Sequence, residues 1–186
     1  MLCLGIDGGT SSTRALVLDV DSGKVLAQAR HDHPFIDHLP HGHVEQSPQT
    51  WVDAASQAIQ QCLEGIGTRK EDIVGIGVSA QQHGLVVLDA RNHPIRPAKL
   101  WCDTSTAAEA EELNKVFGGI EQMIERTGNI IVPGYTAPKL LWLKRHEAGN
   151  FRRVRTILLP HDFINLWLTG ERQMEYGDAS GTGLVE

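Results

Sequence analysis

An apolar run that breaks at Asp7-Gly8-Gly9-Thr10-Ser11-Ser12-Thr13 and resumes at Ala15-Leu16-Val17-Leu18 constrains this chain more than any other stretch. Two short apolar segments parted by Gly, Ser and Thr predict strand, turn and strand, with a carboxylate where the first strand ends. Such a carboxylate, glycines that admit close backbone approach, and hydroxyls beside bare N–H groups suit a phosphate and its magnesium ion. No lysine follows the glycines, so the turn is not a GxxxxGK[ST] loop. A strand follows it where dinucleotide folds need a helix N-terminus for the pyrophosphate. Taken alone, the turn fits a phosphate cradle and a plain Gly-rich hairpin with an exposed Asp equally well.

Further strands are expected at 25–29, joined to the second by a tight turn at Asp21-Ser22-Gly23-Lys24, so that 2–6, 14–19 and 25–29 form an antiparallel meander. After a loop at 31–42, Ser47-Pro48 opens a helix marked by Trp51, Ala54, Ala55, Ala58, Ile59 and Cys62, which Gly65 and Gly67 end. The run 73–78 reads as a buried strand ending at Ser79-Ala80-Gln81-Gln82-His83-Gly84, and polar strand ends are where open α/β sheets place ligands. A short strand at 85–89 and a turn at 91–94 follow. Asp103 or Thr104 caps a helix through Ala107, Ala110, Leu113 and Val116. Helices are expected at 120–126, 137–146 and 162–169, and a strand at 156–159. Residues 175–186 read as turn chemistry feeding another strand. Three opening strands followed by alternating helices and strands is the order of the ribonuclease-H-like, actin-type ATPase core: an α/β domain with a mixed sheet, three antiparallel opening strands and flanking helices.

With 186 residues the chain can bury a sizeable core as one domain. A net charge of −6 without a basic stripe argues against a nucleic-acid partner. Three cysteines without CxxC spacing point to a reducing, cytoplasmic setting. Neither a signal peptide nor a run of about 18 apolar residues is present, so no membrane partner is expected.

The turn at Asp7-Gly8-Gly9-Thr10, the strand end Gln82-His83-Gly84, the segment Leu100-Trp101-Cys102-Asp103-Thr104 and the stretch Gly134-Tyr135-Thr136-Ala137-Pro138-Lys139-Leu140-Leu141-Trp142-Leu143 occur in one order. In this the sequence resembles the FGGY carbohydrate kinases over its whole length. The resemblance implies ATP-dependent phosphorylation of a ketose with Mg2+, D-xylulose first, with gluconate, ribulose or glycerol as alternatives. Gln82 stands where a Met is common and His161 where a Lys is common, which bears on the identity of the sugar. Family members have two ribonuclease-H-like domains around a cleft. Residues 1–186 are therefore expected to be an N-terminal domain that stops short of a C-terminal one, where the catalytic base and most adenosine contacts are expected. A homodimer is left open.

By that resemblance Asp7 would hold magnesium, while Gly9, Thr10 and Ser11 offer donors to the phosphates. Arg14 adds charge there or simply faces solvent. Gln82 and His83 would hydrogen-bond sugar hydroxyls, and Trp101 would wall the sugar's C–H face. Asp103 caps the following helix or accepts a sugar hydroxyl. Tyr135 and Lys139 are expected to pack their helix. His31, His33, His38, His41 and His43 suggest zinc by spacing, but prolines and Gly42 interrupt them and no cysteine lies near, so they read as a polar loop.

Two other classes are weighed beside the kinase. A ribonuclease-H-type nuclease shares the strand order, but it needs several carboxylates around two metals and the fourth strand ends in Ser79. A binding module would hold sugar without turnover, since closure of two domains usually completes such a site.

Overall fold

The computed structural model describes residues 1–184. Leu2–Gly8 (β1), Ser12–Asp19 (β2) and Lys24–Asp32 (β3) form the expected antiparallel meander. Leu2, Leu4 and Ile6 alternate with outward residues along β1, so one face is apolar. Pairing runs from Leu2 opposite Asp19 to Gly8 opposite Thr13. The two-residue strand Glu45–Gln46 (β4) then leads into Pro48–Ile66 (α1). Pro48 occupies the first helical position, where its missing N–H costs nothing. Ala55, Ala58 and Cys62 on α1 close over Leu4, Ile6, Ala15 and Val17, and the small alanines let the helix lie close on the sheet.

Having crossed the sheet as α1 and a 3-10 turn at Gly67–Asp72, the chain returns as Ile73–Ala80 (β5), parallel to β1. The order β3-β2-β1-β5 makes the mixed sheet the sequence predicts. One expectation is corrected: β5 is not buried, for Val74 and Ile76 are 66% and 54% exposed. Its place at the sheet edge is the reason, since α1 packs mainly over β2 and β3.

Beyond β5 the strands are short: Val86–Leu88 (β6) and Ala98–Lys99 (β7). Ala107–Val116 (α2), Ile120–Thr127 (α3), Thr136–His146 (α4) and Ala148–Arg153 (α5) follow, then Thr156–Leu158 (β8), Pro160–Thr169 (α6) and Tyr176–Ser180 (α7). β4 pairs with β7, and β6 with β8, all antiparallel. Trp51, Val86, Leu88, Leu100, Phe163 and Leu166 form a second core beneath these ribbons. The prediction omits α5, and α7 replaces part of the turn expected at 175–186. The end of that stretch, where the turn chemistry is expected to feed another strand, reaches residues 185 and 186, which lie outside the described residues.

No described helix is long and apolar enough to cross a membrane.

Candidate active site

Parallel pairing of β1 with β5 brings the ends of both strands to one side of the sheet, where Asp7 stands opposite Ser79 and Gly8 opposite Ala80. A cleft of about 460 Å3 opens there, lined by Asp7, Gly9, Thr10, Ala80, Gln81, Gln82, His83 and Trp101. Its size falls within the roughly 300–1,000 Å3 usual for small-molecule sites. A larger groove of about 670 Å3 runs between α1 and Trp167, but none of the candidate residues line it.

Six sequence candidates thus meet in one cleft: Asp7, Gly9, Thr10, Gln82, His83 and Trp101. Three do not. Ser11 is exposed on the turn outside the lining. Arg14 pairs with Asp7 across the β1–β2 ladder and is exposed on the sheet's outer face. Asp103 is corrected outright: it is fully buried and neither caps α2 nor reaches the cleft. Its Oδ2 accepts from Val44 N at 2.9 Å and Lys99 Nζ at 3.1 Å, and its Oδ1 from Ser105 N at 3.0 Å and Ser105 Oγ at 2.5 Å. With both oxygens engaged, Asp103 holds the Trp101 segment from within. Burial works against its charge, but the Ser105 hydroxyl, the Val44 N–H and Lys99 outweigh burial and lower its pKa.

Asp103, His43 and Glu45 converge as metal-type ligands do. The Lys99 ammonium already lies among them, 3.1 Å from His43 Nδ1, 3.2 Å from Glu45 Oε1 and 3.1 Å from Asp103 Oδ2. Arg96 bridges Glu45 and Glu147 beside it, so the cluster is an internal ionic network. The indole of Trp142, 4.0 Å from Lys99 Nζ, covers it by a cation–π contact.

The glycine turn rests on Gln46, a residue the sequence reading missed. Gln46 is fully buried, and its Nε2 donates to Thr10 O at 2.8 Å. Its Oε1 accepts from Trp51 Nε1 at 2.9 Å and Gln81 Nε2 at 3.3 Å. A polar side chain at the entry to an apolar helix is the only sequence signal for it. Close packing explains Gly8, where a Cβ would lie 2.6 Å from Ile164 Cδ1. The Thr10 side chain turns toward the cleft, and its Oγ1 accepts a hydrogen bond from Trp101 Nε1 at 3.0 Å.

On the opposite wall His83 has φ +56, in the left-handed region that non-glycine residues rarely occupy. Its ring lies 4.6 Å from that of Tyr135. Burial, reinforced by the charge of Lys139, lowers its pKa, so the imidazole is neutral at pH 7 and offers one donor and one acceptor. The carbonyl of His83 accepts from Lys139 Nζ at 2.8 Å and Thr136 Oγ1 at 3.3 Å.

Asp7 is exposed at the mouth, and its carboxylate makes no hydrogen bond or ion pair among the described residues. A hard carboxylate beside open space fits magnesium, which keeps several of its waters. Asp7 is also the only acid among the described residues lining this cleft, too few for a two-metal nuclease.

A parallel β1–β5 pair beside an antiparallel meander, with a glycine turn at the strand ends, defines a kinase-like domain of the ribonuclease-H, actin-like class. The chain belongs to the FGGY family of carbohydrate kinases, whose N-terminal domain matches residues 2–186. It is 43% identical to the xylulose kinase of Haemophilus influenzae, an alignment spanning 98% of this chain and 38% of that protein. The whole chain superposes on a structure described as a xyloylose kinase from Brucella ovis with a TM-score of 0.91 at 38% identity, covering 38% of it. The xylulose kinase from Rhodospirillum rubrum gives a TM-score of 0.93 at 29% identity, with 100% of this chain covering 37% of that one. The chain thus spans less than two fifths of the length of these relatives.

Proposed function

We propose that this chain supplies the sugar-binding and phosphate-orienting half of an ATP-dependent ketose kinase acting on D-xylulose. One observation carries the reading: a single cleft unites a glycine turn suited to phosphate with a Gln-His-Trp set suited to a polyol. The likeness to proteins named xylulose kinase supports the choice of sugar.

In the proposed reaction a sugar hydroxyl oxygen bonds to the γ-phosphorus of ATP, the bond from that phosphorus to the bridging oxygen breaks, and ADP leaves. Protein groups mainly position and neutralise charge in such a transfer. Magnesium, when bound, would neutralise phosphate oxygens, and Asp7 is the residue to hold it. Gly9 and Thr10 present donors to the phosphate side. Gln82 and the neutral His83 orient hydroxyls through their mixed donors and acceptors, while Trp101 covers the carbon face and shields the reacting oxygen from water. Among the described residues lining the cleft, Asp7 is given to magnesium and His83 to orienting hydroxyls, and Ala80 and Gln81 are neither acid nor base. We assign the base that takes the hydroxyl proton, with the adenosine contacts, to a second domain following this one. A reducing cytoplasm suits the three free cysteines.

ADP release by the protein with its second domain, measured with D-xylulose, ribulose, gluconate and glycerol, tests the reading. D-xylulose is expected to give the highest kcat/KM. A higher value for another sugar would overturn the substrate assignment, and absence of turnover with every sugar would overturn the kinase.

A further inference from the structure

Lys139 is completely buried at the start of α4, yet both acceptors of its Nζ are main-chain carbonyls, those of His83 and Gly134. Most lysines keep the ammonium in water, and burial here pushes its pKa down to about 7. Helix packing alone gives no reason for a lysine in place of an apolar residue. The two carbonyls do, because His83 lines the cleft and Gly134 lies against the backbone of Trp101, which also lines it.

His83 holds a backbone conformation that a histidine adopts at a cost. Its carbonyl, clamped by Lys139 and Thr136, cannot rotate without losing two donors. Its ring is confined between Tyr135 and Gly181, where a Cβ would stand 2.7 Å from His83 Cε1. Gly134 leans on the Trp101 segment of the same wall: a Cβ there would lie 2.5 Å from the carbonyl oxygen of Trp101. The Gly134 carbonyl that Lys139 holds therefore belongs to backbone pressed directly on the Trp101 backbone.

We propose that Lys139 is a positioning residue for the sugar side of the cleft, tying the His83 carbonyl to Gly134 and so setting the spacing between the His83 and Trp101 rings. A neutral amine retains two N–H donors for two carbonyls, so the tie persists on either side of neutral pH. The proposal rests on reading His83 and Trp101 as sugar contacts.

The test compares the whole protein with its Lys139→Met, Thr136→Val and Leu143→Ala variants. Steady-state kinetics with D-xylulose and ATP are joined to thermal unfolding and to the NMR signals of the His83 ring. Lys139→Met is expected to shift the ring signals and raise KM for D-xylulose about 10- to 100-fold, while KM for ATP changes by less than about twofold. Thr136→Val, which removes the longer bond, moves the same quantities less. Leu143 is buried on the same helix, packed with Leu85 and Val87, and as an apolar side chain donates to neither carbonyl, so Leu143→Ala is expected to lower Tm alone. Unmoved ring signals in Lys139→Met, or in Thr136→Val should the first variant not fold, overturn the proposal. Shifted ring signals with an unchanged KM for D-xylulose uphold the tie and overturn the reading of His83 as a sugar contact.

Discussion

The two walls of the cleft are built in different ways. The phosphate wall is a local structure: Asp7, Gly9 and Thr10 are sequence neighbours on one hairpin, whose ladder from Gly8–Thr13 to Leu2–Asp19 sets their geometry. Gln46 reaches in from afar to the Thr10 carbonyl, and Trp101 to the Thr10 hydroxyl. The opposite wall is assembled from residues far apart in sequence, His83, Trp101, Gly134, Lys139 and Gly181, joined by buried hydrogen bonds and close backbone contacts. A wall made by one turn responds to substitution in its charge and donors. A wall made by assembly responds in its spacing, so residues that never touch a ligand become important.

The sharpest test of that contrast is Asp7→Asn. An exposed side chain with no internal bond is expected to leave Tm almost unchanged. Loss of the proposed magnesium ligand is expected to lower kcat about 10²- to 10³-fold, read from ADP release across a magnesium titration. Near-normal turnover would remove Asp7 from the site. Gly134→Ala probes the assembled wall, because its methyl must displace the Trp101 backbone. We expect a stability loss of about 1–3 kcal/mol by urea unfolding, with KM for the sugar rising more than KM for ATP. Equal changes in both KM values would break the distinction between the walls.

A pH series on Lys139 is expected to give a graded effect. Its pKa of about 7 in the folded protein lies below the ordinary value of 10.5. Between these values the unfolded chain holds a proton that the folded one does not, so stability rises with pH through this window. Below pH 7 both states are protonated and the cost of burying the charge is fully present. The stability difference between wild type and Lys139→Met should shift in favour of wild type by up to about 1.4 kcal/mol per pH unit above 7. A flat difference from pH 6.5 to 8.5 would place the proton elsewhere. Trp101→Phe should act least, since it removes one exposed hydrogen bond to Thr10 worth about 0.5–1.5 kcal/mol. That bond joins the walls, so small KM changes for both sugar and ATP are expected, and a change in one alone would show that the walls act independently.

The meander, the helix opening at Pro48 and six residues of the cleft lining are legible in the sequence. Each carries a local signal, whether alternating apolar residues, Ser-Pro at a helix start or polar residues at a strand end. The place of Asp103 is not, because an acid just before a helix reads as a cap, while its partners Val44 and Lys99 are brought in by β4–β7 pairing. Residues 73–78 read as buried because an apolar run does not reveal whether its strand lies inside a sheet or at its edge. In the sequence Tyr135 and Lys139 read as helix packing, since spacing on α4 cannot show that a carbonyl of another segment lies at the end of the lysine.

The glycine turn, the order of the opening strands and the family to which the chain belongs follow from the amino-acid sequence. All three rest on short-range chemistry: turn residues with permissive backbones, alternation along strands, and a motif of fixed spacing. Folding alone turns Asp103 inward, brings Gln46 under the turn and places Lys139 between the carbonyls of His83 and Gly134. Each of these depends on a buried polar group finding its partner across tens of residues, a pairing that close packing imposes and spacing along the chain does not reveal.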